Sequence, residues 1–292
     1  MGFFSRYRWW KSRRRKTEPD TIQRAGEQAE FRLGRFLGAA GSKKGWHIFE
    51  SLRIPQKEGD HRGEIDFILL HGSDIFTVEQ KHWAGTLTID EDGTFIQNRP
   101  NGTVQKHGDV RGKLERKTAD LEHHLLQQYD KQTFGLHQWF AFTHPRFEFT
   151  NQTPPEHMEV LSQKQIVEKL ESSVQMPANQ DLLSTLRTFG TWDEVEVYGG
   201  RTYKGDILDH ALSFSLQDLR ALDYPLTTIS VHHKRSLLSM MTAHPSIVTI
   251  PLANRDHKET LSEDQHLRMH VVGDASPMEI PWSQIIKIQL SI

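Results

Sequence analysis

Four charged side chains interrupt two segments that otherwise read as buried strands: Glu64 and Asp66 in GEIDFILL (residues 63–70), then Glu79 and Lys81 in FTVEQKHWAG (residues 76–85). Side chains alternate faces along a strand. Glu64 and Asp66 are therefore expected beside Ile68 and Leu70, and Glu79 and Lys81 beside Ile75 and Thr77. If HGSD (71–74) closes a hairpin that sets Leu70 against Ile75, the register puts Asp66 opposite Glu79 and Glu64 opposite Lys81. Directly opposed residues have β-carbons about 4.5–5.5 Å apart, which lets two carboxylates share one cation. Like charges so placed weaken a sheet, and a carboxylate taken from water without a partner costs several kcal/mol or takes up a proton. Lys81 supplies one compensating charge. A divalent ion with oxygen ligands, Mg2+ or Mn2+, supplies more, and the set then suits metal-assisted phosphodiester hydrolysis. The competing reading is a cross-strand salt-bridge set on a solvent-facing surface. The apolar company of IDFILL and IFTV argues against it, because strands of that kind are covered on both faces.

The elements around these strands are legible from periodicity. DTIQRAGEQAEFRLGRFLGAA (20–40) has helical spacing, with Ile22, Gly26, Ala29, Leu33, Phe36, Leu37 and Ala40 on one stripe. Glu30 lies at the margin of that stripe, with Glu27 further toward solvent, so Glu30 is the expected third metal ligand beside Asp66 and Glu79. WHIFESLRIP (46–55) alternates as a strand, TLTIDEDGTFIQN reads as a hairpin turning at Glu91 to Gly93, and HQWFAFTHP (137–145) reads as a buried strand and loop. Helices are expected over 109–128, 162–172 and 179–189. On the first of these, Arg111, Lys113, Arg116 and Lys117 are placed to touch phosphates, or else to form a solvated face. Beyond about residue 190 short strand patterns alternate with turns, as in a small β-barrel.

AGEQAE, GEIDFILL and FTVEQKHWAG, in that order, resemble the nuclease-related domain (NERD) family, a branch of the PD-(D/E)XK nuclease superfamily. The resemblance covers residues 20–150, with family-like helices to 190. It implies a restriction-endonuclease-like fold, metal-dependent cleavage of nucleic acid, DNA more than RNA, and an acid-rich site. Asp66, Glu79 and Lys81 take the catalytic positions, and Asp66, Glu79 and Glu30 the metal positions. Two residues depart from the pattern. Ala29 stands where the family tends to have Gly, and Gln80 occupies the usually aliphatic centre of E-x-K.

The fold class expected is therefore α/β, a mixed central sheet flanked by helices, followed by a β-rich, barrel-like domain of Sm or SH3 type. The boundaries fall at 1–19, 20–190 and 191–292. Composition narrows the functions. There is no cysteine, which excludes disulfides, thiolate metal sites and a cysteine nucleophile. HExxH, GxxxxGK[ST] and GxSxG are also absent. His123, His124, His232 and His233 are expected at the surface, His82 in a structural role, and Trp83 in packing. No apolar run reaches the roughly 18 residues of a membrane span, and a cytoplasmic location is expected. Residues 1–16 carry seven Lys and Arg and no acid, leaving 29 basic against 38 acidic residues in the rest of the chain. That head, interleaved with Phe3, Phe4, Tyr7, Trp9 and Trp10, suits nucleic acid or an anionic membrane, or is a solvated tail. The alternatives to a nuclease are a non-cleaving nucleic-acid- or protein-binding module and a membrane-surface adaptor. The C-terminal domain is left open as a nucleic-acid-binding barrel, a partner platform or an oligomerisation element.

Overall fold

Ala29, Leu33, Leu37 and Ala40 recur at helical spacing and form the buried stripe of α1 (Thr21–Gly41). Phe36, counted on that stripe from the sequence, lies off it and is 47% exposed. The computed structural model describes residues 21–57, 62–90, 93–150, 158–222, 226–233, 245–252, 255–262, 264–272, 274 and 276–291. The basic head at 1–19 and the turn residues Glu91 and Asp92 lie outside this set. The chain divides into two compact units, Asp20–Phe189 and Gly190–Ile292.

In the first unit β1 (His47–Pro55), β2 (Arg62–His71) and β3 (Asp74–Lys81) run antiparallel. β7 (Gly135–Phe142) and β9 (Met158–Ser162) continue the sheet in parallel with β3, giving the order β1-β2-β3-β7-β9. Helices cover both faces, which explains why the central strands read as nearly unbroken apolar runs. On one face Leu33 and Leu37 of α1, with Ile166 and Leu170 of α3 (Gln163–Ser172), pack on Phe67, Leu69, Val78 and Ala141. On the other, Leu121 and Leu125 of α2 (Val110–Leu126) and Leu182 and Leu186 of α4 (Gln180–Leu186) pack on Ile68, Leu70 and Ile75. Each such side chain contributes about 1.5–3 kcal/mol when fully buried.

The helix starts are set by short polar side chains. Asp109 accepts from the Gly112 amide, Ser162 and Gln165 form a reciprocal capping box, and Asn179 accepts from Asp181 and Leu182. A second sheet, in the order β6-β5-β4-β8, joins β4 (Gly85–Ile89), β5 (Phe95–Asn98), β6 (Val104–His107) and β8 (Phe147–Phe149). The expected hairpin is there as β4 against β5, with Ile89 opposite Phe95. The chain leaves β3 for this sheet through Gly85, whose φ is +98° and whose missing side chain lets the Asn98 carbonyl approach.

The second unit is an antiparallel sheet in the order β14-β13-β12-β17-β10-β11-β15-β16. Its strands are β10 (Asp193–Val197), β11 (Arg201–Asp209), β12 (Leu226–His232), β13 (Ser246–Pro251), β14 (Asp256–Leu261), β15 (His266–Val271), β16 (Met278–Pro281) and β17 (Ile285–Ser291). A short helix, α5 (Leu216–Arg220), packs on it. The expected closed barrel is not formed. Among the described residues β14 and β16 end the sheet and do not pair with each other. β14 escaped the sequence reading because DHKETL is polar, and its exposed Asp256, Lys258 and Thr260 suit an edge strand. Asp193 is buried at its centre, where it accepts from Arg220 Nη2 (2.6 Å) and from the amides of Ile207 and Ser291.

Candidate active site

The hairpin register is as expected at its closed end, with Leu70 opposite Ile75, but the ladder stops at Phe67 and Val78. Asp66 therefore does not sit in a simple cross-strand pair with Glu79. Its Oδ2 instead accepts from the Gln80 amide at 2.7 Å, a carboxylate taking the place of a backbone acceptor where the two strands part. The other side of β2 is irregular at the same level. Ser51 has φ +52°, and the β1–β2 pairing skips Ser51 and Asp66. Ile65 packs in the same cluster as Ile68 and Leu70, so the face alternation slips by one residue at Asp66. Glu64 accordingly lies across from Arg53 on β1, not from Lys81.

On β3 the alternation holds. Ile75, Thr77, Glu79 and Lys81 share the face that meets α2. Thr77 Oγ1 and Thr118 Oγ1 are 2.8 Å apart in a buried hydrogen bond, which fixes α2 against β3. Lys117, the residue before Thr118, places its Nζ 2.8 Å from Glu79 Oε2, and Lys81 Nζ lies 2.7 Å from Glu79 Oε1. Both carboxylate oxygens of Glu79 thus carry an ammonium partner. Burial alone would raise the Glu79 pKa, but Lys81 and Lys117 together hold it below the usual carboxylate value. Burial alone would lower the Lys81 pKa, but Glu79, Asp66 and Glu30 together raise it, so Lys81 is an ammonium ion throughout the neutral range. Replacing Thr118 by valine, which keeps the shape and removes the hydroxyl, is expected to cost about 1–2 kcal/mol. A thermal melt against wild type checks this.

Asp66 has the opposite balance. Burial first, and the Glu79 charge second, push its carboxyl up to about 8 despite Lys81, Lys117 and the Gln80 amide. Glu30, half-buried on α1, is near enough for its charge to act on Lys81. The three expected metal ligands are nevertheless not drawn into a cage: among the described residues no three His, Asp or Glu are gathered closely enough to hold an ion. The donors at the centre still fit a hard divalent cation. Asp66 and Glu79 offer only oxygen, and the Asp66 carboxyl, lifted first by burial and then by the Glu79 charge, is one whose ionised form a bound cation would stabilise.

The other expected site residues separate. Arg111 pairs with Glu115 and Arg116 with Asp109, both on or beside α2, while Lys113 is exposed one turn before Lys117. Lys117, placed by the sequence to touch phosphate or form a solvated face, pairs with Glu79. The sequence signal was available: Leu114, Thr118, Leu121 and Leu125 mark the buried stripe of α2, and Lys117 adjoins it. Gln80 is buried on the opposite face of β3, where its Nε2 donates to Thr143 Oγ1 at 2.8 Å, and His82 Nδ1 lies 3.0 Å from the same hydroxyl. Thr143 opens the loop after β7, so Gln80 and His82 tie that loop to the end of β3. Trp83 stacks on His107 with centroids 3.6 Å apart. His124, expected at the surface, is half-buried within 2.9 Å of the Pro55 carbonyl oxygen, and His233 lies 2.7 Å from that of Ile285.

Asp66 thus lies where β2 and β3 part, and Glu79 and Lys81 follow on β3. The family model of the nuclease-related domain matches residues 25–146. The chain carries a NERD domain. Its match is consistent with the PD-(D/E)XK nuclease-like superfamily and takes in α1, the β1–β2–β3 meander, the second sheet up to β6, α2 and β7. It covers less than half of the chain, leaving the β-rich unit outside. Glu30, Asp66, Glu79, Lys81 and Lys117 all fall within the NERD domain. No curated protein and no solved structure matches the chain. Among the described residues no helix is long and apolar enough to cross a membrane.

Proposed function

We propose that the NERD domain is a divalent-dependent phosphodiesterase acting on nucleic acid, with DNA as its substrate class. The observation that supports this reading above all is the convergence of Asp66, Glu79 and Lys81 where β2 and β3 part. Asp66 and Glu79 are the residues that would hold Mg2+ or Mn2+, with Glu30 within electrostatic reach of Lys81. When bound, the ion supplies Lewis acidity toward the scissile phosphate and eases the deprotonation of water. Lys81 stays charged, so its part is electrostatic: it orients the attacking water and stabilises the negative charge that grows on the phosphate. Asp66 must give up its proton to serve as a ligand. Divalent affinity is therefore expected to climb about tenfold per pH unit up to about pH 8 and then level off, as titration calorimetry would read.

One observation favours a second reading, a nucleic-acid-binding module that does not cut: both oxygens of Glu79 are already neutralised by lysines. Cleavage assays separate the two. The full chain is incubated with labelled duplex DNA, single-stranded DNA and RNA in Mg2+, Mn2+ or EDTA. Cleavage of DNA that EDTA stops supports the nuclease reading. Salt-sensitive binding with no cleavage under either ion overturns it in favour of the second.

A further inference from the structure

The Lys117 ammonium stands on one of the two oxygens a cation would need. Glu79 Oε2 and Lys117 Nζ are 2.8 Å apart, while Oε1 is held by Lys81. The two lysines are not equivalent. Lys81 lies on the same strand as Glu79, two residues on, and is also in the field of Glu30. Lys117 reaches in from α2. Its base is pinned by the neighbouring Thr118–Thr77 bond, and its stem passes over the bare backbone of Gly63, where a β-carbon would come within 3.5 Å of Lys117 Cγ. Its side chain is 22% exposed, much as that of Lys81 is at 23%, so what separates the two is the element that carries each. Four rotatable bonds allow that head to swing while the helix stays fixed. Lys113, one helical turn earlier, is exposed, so a released Lys117 would join it in facing a polyanion.

We propose that Lys117 has two successive partners: Glu79 in the metal-free domain, and a non-bridging phosphate oxygen of the substrate strand once a divalent ion has taken its place on Glu79. The lysine is thus a resident counter-ion that competes with the ion, and afterwards a positioning residue for the substrate. The inference rests on the proposed nuclease function. A unit charge within a few ångströms of a cation site weakens cation binding by at least about tenfold at the effective dielectric of a protein surface.

The test uses the full chain and no turnover. Mn2+ is titrated calorimetrically into wild type, Lys117→Met and Lys117→Gln. A short DNA duplex is then bound in Ca2+ across a salt series, followed by fluorescence anisotropy, and melts in EDTA identify any variant that has not folded. Expected are Mn2+ affinities about tenfold or more tighter in both variants, and a salt dependence of duplex binding shallower by about one phosphate contact. Equal or weaker Mn2+ affinity in the variants overturns the counter-ion role. An unchanged salt slope overturns the phosphate contact. If wild type binds no Mn2+ at all, the proposed function falls, and this inference with it.

Discussion

Lys81→Met is expected to lower DNA cleavage by on the order of 10²–10³-fold, with the fold retained. Methionine keeps the unbranched stem and its packing while removing the charge. The loss is expected in kcat rather than in duplex affinity, because one ammonium among many cations adds little to binding, whereas its place beside Glu79 and in the field of Asp66 is where charge develops. Stability of the metal-free protein should fall without unfolding it, since Glu79 loses the Lys81 partner of its Oε1 but retains Lys117 at 2.8 Å. Single-turnover cleavage and a thermal melt check the two halves. A comparable fall in duplex affinity with unchanged kcat would move Lys81 from chemistry to docking.

Asp66→Asn is expected to remove cleavage and divalent binding while raising the stability of the metal-free protein above about pH 4. The sign follows from the shift. The Asp66 carboxyl titrates near 8 in the folded chain against an ordinary value of 3.8, so the folded state holds a proton that the unfolded state gives up. Its contribution is fully present below about pH 4 and is lost as pH rises through about 8. Asn keeps the shape and an oxygen for the Gln80 amide but never ionises. Its advantage in Tm should therefore open above about pH 4 and stop widening near pH 8, at on the order of 10 °C. The neighbouring groups do not mask this window. Glu79, held below its ordinary 4.5, loses its contribution only as pH falls below that value. Lys81, raised above its ordinary 10.5, loses its own only above that. Thermal melts of both proteins in EDTA from pH 4 to 9 measure the gap; parallel curves would show that Asp66 is not the strained group.

Neutralising Asp66 by mutation and binding a cation there would relieve the same cost, that of an ionised carboxylate buried beside the Glu79 charge. That link between charge and function was legible in the sequence as charged residues in apolar strands. The elements were legible too, because helix and strand periods are local: α1, β2, β3 and α2 fall within a few residues of their expected spans. What could not be read was where alternation fails. Counting by twos through Asp66 assumes an unbroken ladder, whereas Ser51 at φ +52° and the side-chain acceptor at the Gln80 amide end it there. The partnership of Lys117 with Glu79 joins residues 38 positions apart, and no periodicity within one element announces it. Gln80 looked anomalous for a related reason, since its hydrogen bond to Thr143 is supplied by a loop residue 63 positions further on. In the second unit, alternating patterns identified strands but did not dictate closure, which depends on which strands end the sheet.

Asp66, Glu79 and Lys81 are proposed to form one divalent-dependent cleavage centre. Its most direct test is the cleavage of labelled duplex DNA in Mn2+ by wild type and by Asp66→Asn, purified identically and both shown to be folded. Expected are cleavage by wild type that EDTA abolishes, and a loss of at least about 10²-fold in the variant. Equal cleavage by the two proteins, or none by wild type, would contradict that assignment.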